Sequence, residues 1–187
     1  MKNNITGLII SAGLSSRMGK FKPLLEYDGK LFLERIIDNL AEVCSKIIIV
    51  TGHNFENINN FVSSFYPQNK SITLKFNSDY KTGMFSSLKN GIGGCNDEDW
   101  ILYHFVDQPN LPDKFYTELI SQIDRSFDWI QPVIYDKKGH PILFNYKVIQ
   151  KIINGDSNSN LRLISQDTSI KKKYWECGYK EIFTDID

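Results

Sequence analysis

The chain is poor in everything that would place it in a membrane or staple it covalently. Its apolar runs are no longer than Ile47–Val50, far short of the roughly 20 residues that a bilayer-spanning helix needs. Cys44, Cys95 and Cys177 are odd in number, widely spaced and free of any C-x-x-C pattern. That argues against a disulfide frame or zinc site and for reduced thiols. His53, His104 and His140 are equally scattered, with no pair at helical metal-ligand spacing, which argues against a zinc or iron enzyme. Neither charge sign dominates, with 22 Lys+Arg against 22 Asp+Glu, so no overall field draws the chain to nucleic acid or to a membrane surface. The opening Met1–Asn4 lacks the apolar core of a signal peptide. The expectation is a cytoplasmic protein without nucleic-acid or membrane partners. Internal repeats, low-complexity tracts and linkers are missing too.

What is present is ordinary globular composition, 41% hydrophobic and 24% charged over 187 residues, the size of one domain spanning 1–187. Short β-branched runs alternate with amphipathic patterns. Strands are expected at 5–10, 46–51, 72–76, 100–106, 129–135 and 142–144. Helices are expected at 31–43, 55–65, 84–92, from Pro112 to about Ile123, at 147–153 and at 159–165. Such alternation implies right-handed crossovers: a single Rossmann-like α/β domain, its mostly parallel sheet covered by helices on both faces. In open sheets of this kind ligands bind at the carboxyl ends of the strands.

The first strand leaves through Ser11-Ala12-Gly13-Leu14-Ser15-Ser16-Arg17-Met18-Gly19-Lys20-Phe21-Lys22. Gly13 and Gly19 allow close approach of backbone to a ligand. Successive N–H groups can cradle an anion, and Arg17, Lys20 and Lys22 add the positive charge that a polyphosphate requires. Neither common phosphate loop is present. Phe21 stands where a Walker hydroxyl should follow Lys20, and Ser15 replaces the second glycine of the dinucleotide pattern. The plain alternative is a basic surface loop.

Three further constellations sit at strand ends. Asp107 closes the run from Trp100, well placed to hold Mg²⁺ or simply to start the turn before Pro109. Gly83 opens a helix bearing Ser86 and Ser87, suited to a base, ribose or phosphate or to self-capping. His140 in Gly139-His140-Pro141 can hydrogen-bond a phosphate, or serve structurally.

The glycine loop resembles the signature of the MobA-like nucleotidyltransferases, roughly A-G-x-S-x-R-M-G-x-x-K-x-L-L, which Ala12 to Leu25 match at every fixed position. Asn77 to Leu88 resemble the N-x-x-x-x-x-G-M-x-x-S-L element of that family's molybdenum-cofactor cytidylyltransferase branch. Tyr135 to Pro141 resemble its P-x-Y-x-G-x-x-G-H-P loop, with Pro132 displaced and Asp136-Lys137 in place of a glycine. Gly155-Asp156 begins a G-D-x-G-A-R loop whose arginine, here Arg162, comes late. Phe183 to Asp187 match the start of a D-I-D-T-P-E-D ending, with the expected Thr-Pro and terminal helix not following.

The resemblance implies a nucleotide-diphospho-sugar transferase-like fold and transfer of a nucleoside monophosphate from an NTP, CTP favoured, to a phosphorylated acceptor with release of pyrophosphate. Molybdopterin is the favoured acceptor. It implies Arg17, Lys22 and Asp107 as catalytic. Ser11, Ala12, Gly13, Ser15, Ser16, Arg17, Gly19, Lys22, Gly83, Ser86 and Ser87 would bind nucleotide. Tyr135, Gly139, His140 and Asp156 would bind the acceptor, and Asp107 with Asp185 and Asp187 would hold Mg²⁺. Two alternatives stay open. One is a related transferase acting on a sugar or alcohol phosphate. The other is a non-catalytic accessory protein that delivers nucleotide or cofactor to a molybdenum hydroxylase.

Overall fold

Nearly unbroken apolar strands can be buried only if helices cover both faces of the sheet, and the chain satisfies this throughout. The computed structural model describes residues 4–13, 21–96, 100–156 and 159–186. In chain order the elements are β1 (Ile5–Ser11), a short hairpin of β2 (Glu26–Tyr27) and β3 (Lys30–Leu31), α1 (Phe32–Val43), β4 (Lys46–Thr51) and α2 (Phe55–Phe65). There follow β5 (Ile72–Phe76), α3 (Met84–Ile92), β6 (Trp100–Phe105) and α4 (Asp113–Ser121). The last part holds β7 (Trp129–Ile134), β8 (Lys137–Lys138), β9 (Ile142–Phe144), α5 (Tyr146–Asn154), α6 (Leu161–Gln166) and β10 (Lys172–Glu176).

The main sheet runs β10-β7-β9-β6-β1-β4-β5, with β8 paired to β7. β1 lies between β4 and β6, parallel to both, and β4 pairs parallel with β5. β9 is antiparallel to both β6 and β7, so β7 again points the same way as β1. Side chains alternate between two separate cores. Ile5 and Ile9 of β1 pack with Leu33, Ile37, Phe61 and Phe115 of α1, α2 and α4. Leu8 and Ile10 pack with Leu88, Ile149 and Ile164 of α3, α5 and α6.

The α/β architecture read from the alternation is the one observed, with differences at the edges. Leu31 belongs to the β2–β3 hairpin rather than to α1, and its N–H donates to Glu34 at 3.2 Å. Pro112 is the N-cap of α4, which stops at Ser121 rather than Ile123. β10, β8 and the β2–β3 hairpin are additional. No described helix is long and apolar enough to cross a membrane.

Candidate active site

The parallel strands deliver their carboxyl ends to one edge. Ser11-Ala12-Gly13 leave β1 there, beside Thr51 at the end of β4 and Phe105 at the end of β6. Ser11 is 3% exposed, and its hydroxyl has no hydrogen-bond partner among the described residues. The Ala12 carbonyl accepts from the His53 N–H at 3.5 Å. Ser15, Ser16, Arg17 and Gly19 lie outside the described residues. The chain resumes at Phe21 and forms a single 3₁₀ turn over Lys22–Leu24, which Pro23 suits. That turn sets Lys22 Nζ at 3.9 Å from Asp107 Oδ2, two residues past the end of β6. A fixed cation and a carboxylate therefore stand together at the exits of adjacent strands.

Beyond β5, the Asn77–Ser87 segment is tied to itself. Asn77 donates from Nδ2 to the Ser86 and Ser87 hydroxyls at 3.0 and 2.9 Å. Ser86 donates onward to the carbonyls of Asp79 and Gly83. Gly83 precedes α3 at φ +124, a conformation that a side chain would strain. Ser87 is 1% exposed and turned inward, so the outward face of this element is the turn from Gly83 to Ser86. Asn77 is the organiser here. Its place in the motif was legible, whereas its bidentate hold on two serines needed the fold.

On the other side of Asp107, Gly139 and His140 lie between β8 and β9 at the same edge. The Gly139 N–H donates to the Pro132 carbonyl, and the His140 N–H donates to the Ile182 carbonyl at 3.1 Å. A Cβ on Gly139 would stand 2.5 Å from Ile182, so only glycine fits. The His140 ring lies 4.4 Å from that of Phe105, and its buried Nδ1 has no hydrogen-bond partner among the described residues. Burial lowers its pKa to about 4, so near neutral pH it is an uncharged imidazole. Tyr135 is 92% exposed at the tip of the β7–β8 hairpin, where its N–H donates to Glu176. Asp156 is exposed too, and its carbonyl accepts from Ser159. The structure thus joins Gly139 and His140 to the segment leading to Asp185, while Tyr135 is tied to Glu176 of β10 and Asp156 to its own turn.

The segment from Ile182 to Ile186 returns across the Asp107 turn. The Ile186 N–H donates to the Asp107 carbonyl at 2.9 Å, and Gln108 Nε2 donates to Asp185 Oδ1 at 3.1 Å. Asp187 lies outside the described residues. Among the described residues there is no group of three or more His, Cys, Asp or Glu that could hold a metal ion. Asp107 and Asp185 offer the hard oxygen donors, one or two carboxylates, with which Mg²⁺ is usually bound alongside phosphate and water, so the donor chemistry fits that ion.

A mostly parallel sheet of this order, with one antiparallel strand inserted and its loops gathered at the carboxyl edge, is the nucleotide-diphospho-sugar transferase-like class of α/β protein. The crystal structure of Rv0371c from Mycobacterium tuberculosis H37Rv shares the fold at a TM-score of 0.78 and 17% identity, over 97% of this chain and 93% of that one. Within that class the chain belongs to the MobA-like NTP transferase family, whose domain matches residues 7–171. It is 31% identical over 96% of its length to the molybdenum cofactor cytidylyltransferase of Escherichia coli (strain K12), of which 89% is covered. It is 23% identical over 87% of its length to a probable molybdenum cofactor guanylyltransferase of Bacillus cytotoxicus, of which 80% is covered.

Proposed function

We infer that this nucleotidyltransferase uses CTP and transfers its cytidylyl group to the phosphate of molybdopterin, working as one domain. An acceptor phosphate oxygen bonds to the α-phosphorus, the α–β phosphoanhydride bond breaks, and pyrophosphate leaves. The observation that carries this reading is the pair Lys22 and Asp107, 3.9 Å apart at the exits of β1 and β6. Phosphoryl chemistry asks little covalent help of a protein and much alignment and neutralisation. Lys22 supplies fixed positive charge for the α-phosphate as its oxygens gain charge, and Arg17 supplies it for the β- and γ-phosphates. Backbone N–H groups around Gly13 hold the phosphates against the end of β1. The turn from Gly83 to Ser86 lies on the nucleotide side of Asp107, and the Gly139-His140 turn on the acceptor side.

Asp107 and Asp185 would hold Mg²⁺, which when bound neutralises charge on phosphate oxygens. Support for CTP comes from the cytidylyltransferase relative and from Ala12, whose methyl, on this reading, would leave less room for a purine than a glycine. Such size exclusion is worth about 1–3 kcal/mol between bases. The competing donor is GTP, which the name of the guanylyltransferase relative raises. Pyrophosphate release measured across the four NTPs, with and without molybdenum-loaded pterin, tests the whole reading. CTP turnover that needs the pterin is the expected result. Turnover with GTP alone, or with a sugar phosphate in place of the pterin, overturns it.

A further inference from the structure

Gln108 follows Asp107 directly and is 2% exposed, a degree of burial unusual for a side-chain amide. Its Nε2 crosses to the segment 182–186, donating to Asp185 Oδ1 at 3.1 Å and, more weakly, to the Ile182 carbonyl at 3.4 Å. Ile182 itself is anchored independently: it is 1% exposed, packs on Gly139 and accepts from the His140 N–H. The Ile186 N–H adds a backbone tie to Asp107. These anchors fix the course of the segment, but none of them fixes where the Asp185 carboxylate points. The Gln108 amide does.

We propose that Gln108 is a positioning residue for nucleotidyl transfer, its amide holding the Asp185 carboxylate beside Asp107 so that both face one cation. The inference rests on the reading in which those two carboxylates hold Mg²⁺. The choice of an amide follows from charge. Two carboxylates brought together without a cation repel each other, and a neutral donor steadies one of them without cancelling its charge. Lysine or arginine at this position would compete with the cation, and a carboxylate would add a third negative group. Gln108 Oε1 is buried and has no partner among the described residues, so the amide is oriented through what Nε2 donates to. Outer groups that orient metal ligands typically govern affinity by about 10–100-fold.

The test is Mn²⁺ binding to the nucleotide-free full chain, read by the electron paramagnetic resonance of free Mn²⁺, together with the Mg²⁺ dependence of pyrophosphate release. Gln108→Met keeps the length of the side chain and removes the donor. It should weaken Mn²⁺ binding roughly tenfold or more and raise the Mg²⁺ needed for half-maximal rate, while turnover at saturating Mg²⁺ is largely kept. Adding Gln108→Met to Asp185→Asn should cost nothing further, because the amide acts through that carboxylate. If Gln108→Met does not fold, Gln108→Asn, which keeps the amide but falls short of Asp185, takes its place. A lower melting temperature with Mn²⁺ affinity intact, or additive losses in the double variant, overturns the proposal. Mn²⁺ affinity untouched by Asp107→Asn and by Asp185→Asn would instead overturn the cation reading itself.

Discussion

At the scale of single residues, Lys22 and His104 carry opposite kinds of consequence. Lys22 Nζ is close enough to Asp107 to be held in place and far enough, at 3.9 Å, to be shared with a phosphate. Lys22→Ala should therefore lower turnover by about 3 kcal/mol, roughly a hundredfold, with a much smaller loss of CTP affinity. Equal losses in affinity and none in turnover would assign Lys22 to ground-state binding only. His104 does no chemistry at the edge. It is fully buried in β6, its Nε2 2.8 Å from the Tyr116 hydroxyl and its Nδ1 2.7 Å from the Phe105 carbonyl. Burial drives its pKa down from 6.5 to about 4. The unfolded imidazole takes up its proton first, so its contribution to stability is complete above 6.5 and is lost as pH falls toward 4, where it levels. The loss should be on the order of 3 kcal/mol. Denaturant unfolding across that range should show it, and His104→Gln should make that part of the profile shallower, with His140 still contributing over the same range.

At the scale of elements, Asp128 joins three of them. It sits just before β7 and is 9% exposed. Its carboxylate accepts from the Lys171 N–H at 2.9 Å, from Lys147 Nζ at 3.0 Å and from Asn145 Nδ2 at 3.1 Å. Asn145 in turn caps α5 by accepting from the Lys147 N–H. Burial pushes the Asp128 carboxyl up, but the Lys171 N–H, Lys147 and Asn145 outweigh it and leave it below the ordinary 3.8. Its stabilisation is present above that value and is lost as pH falls through the lower folded one. Asp128→Ala should cost about 1–3 kcal/mol by denaturant unfolding near neutral pH, since it takes the acceptor from partly buried donors on two elements. A cost below about 0.5 kcal/mol would make the cluster a surface ornament.

Elements written in unbroken apolar residues were legible from the sequence. β1, β4 and β6 have that form because both faces are covered. β10 was not legible. An edge strand is written with charges that discourage further pairing, and Lys172, Lys173 and Glu176 hide the packing of Trp175 on the core. The β7–β8 hairpin was hidden for another reason. Its two-residue turn is Tyr135-Asp136, at φ 48 and 63, where Asn-Gly would have announced it. At the site, the signature residues Lys22 and Asp107 stood out by motif. The inward turn of Ser87 and the reach of Gln108 to Asp185 depend on helix phase and on tertiary approach, which a one-dimensional pattern does not encode.

At the scale of the whole molecule, the segment Ile182–Ile186 stitches the Gly139-His140 turn to the Asp107 turn. Gly139 is where the two surfaces meet with no room between them. Gly139→Ala should lower stability by about 1–3 kcal/mol through overpacking against Ile182. Ile182→Ala, destabilising alone because Ile182 is 1% exposed, should cost less in the Gly139→Ala background than in the wild type. Strictly additive melting shifts would mean that the two residues do not press on each other.

The bond from Gln108 to Asp185 closes a loop of 77 residues, whereas β1, β4, β5 and β6 pair among segments that all precede it. A chain made N-terminus first can pair β1, β4, β5 and β6 before Asp185 has been synthesised. In time rather than in space, the edge should therefore be assembled in order during synthesis: the strands that carry the glycine loop and Asp107 first, the Asp185 carboxylate after them.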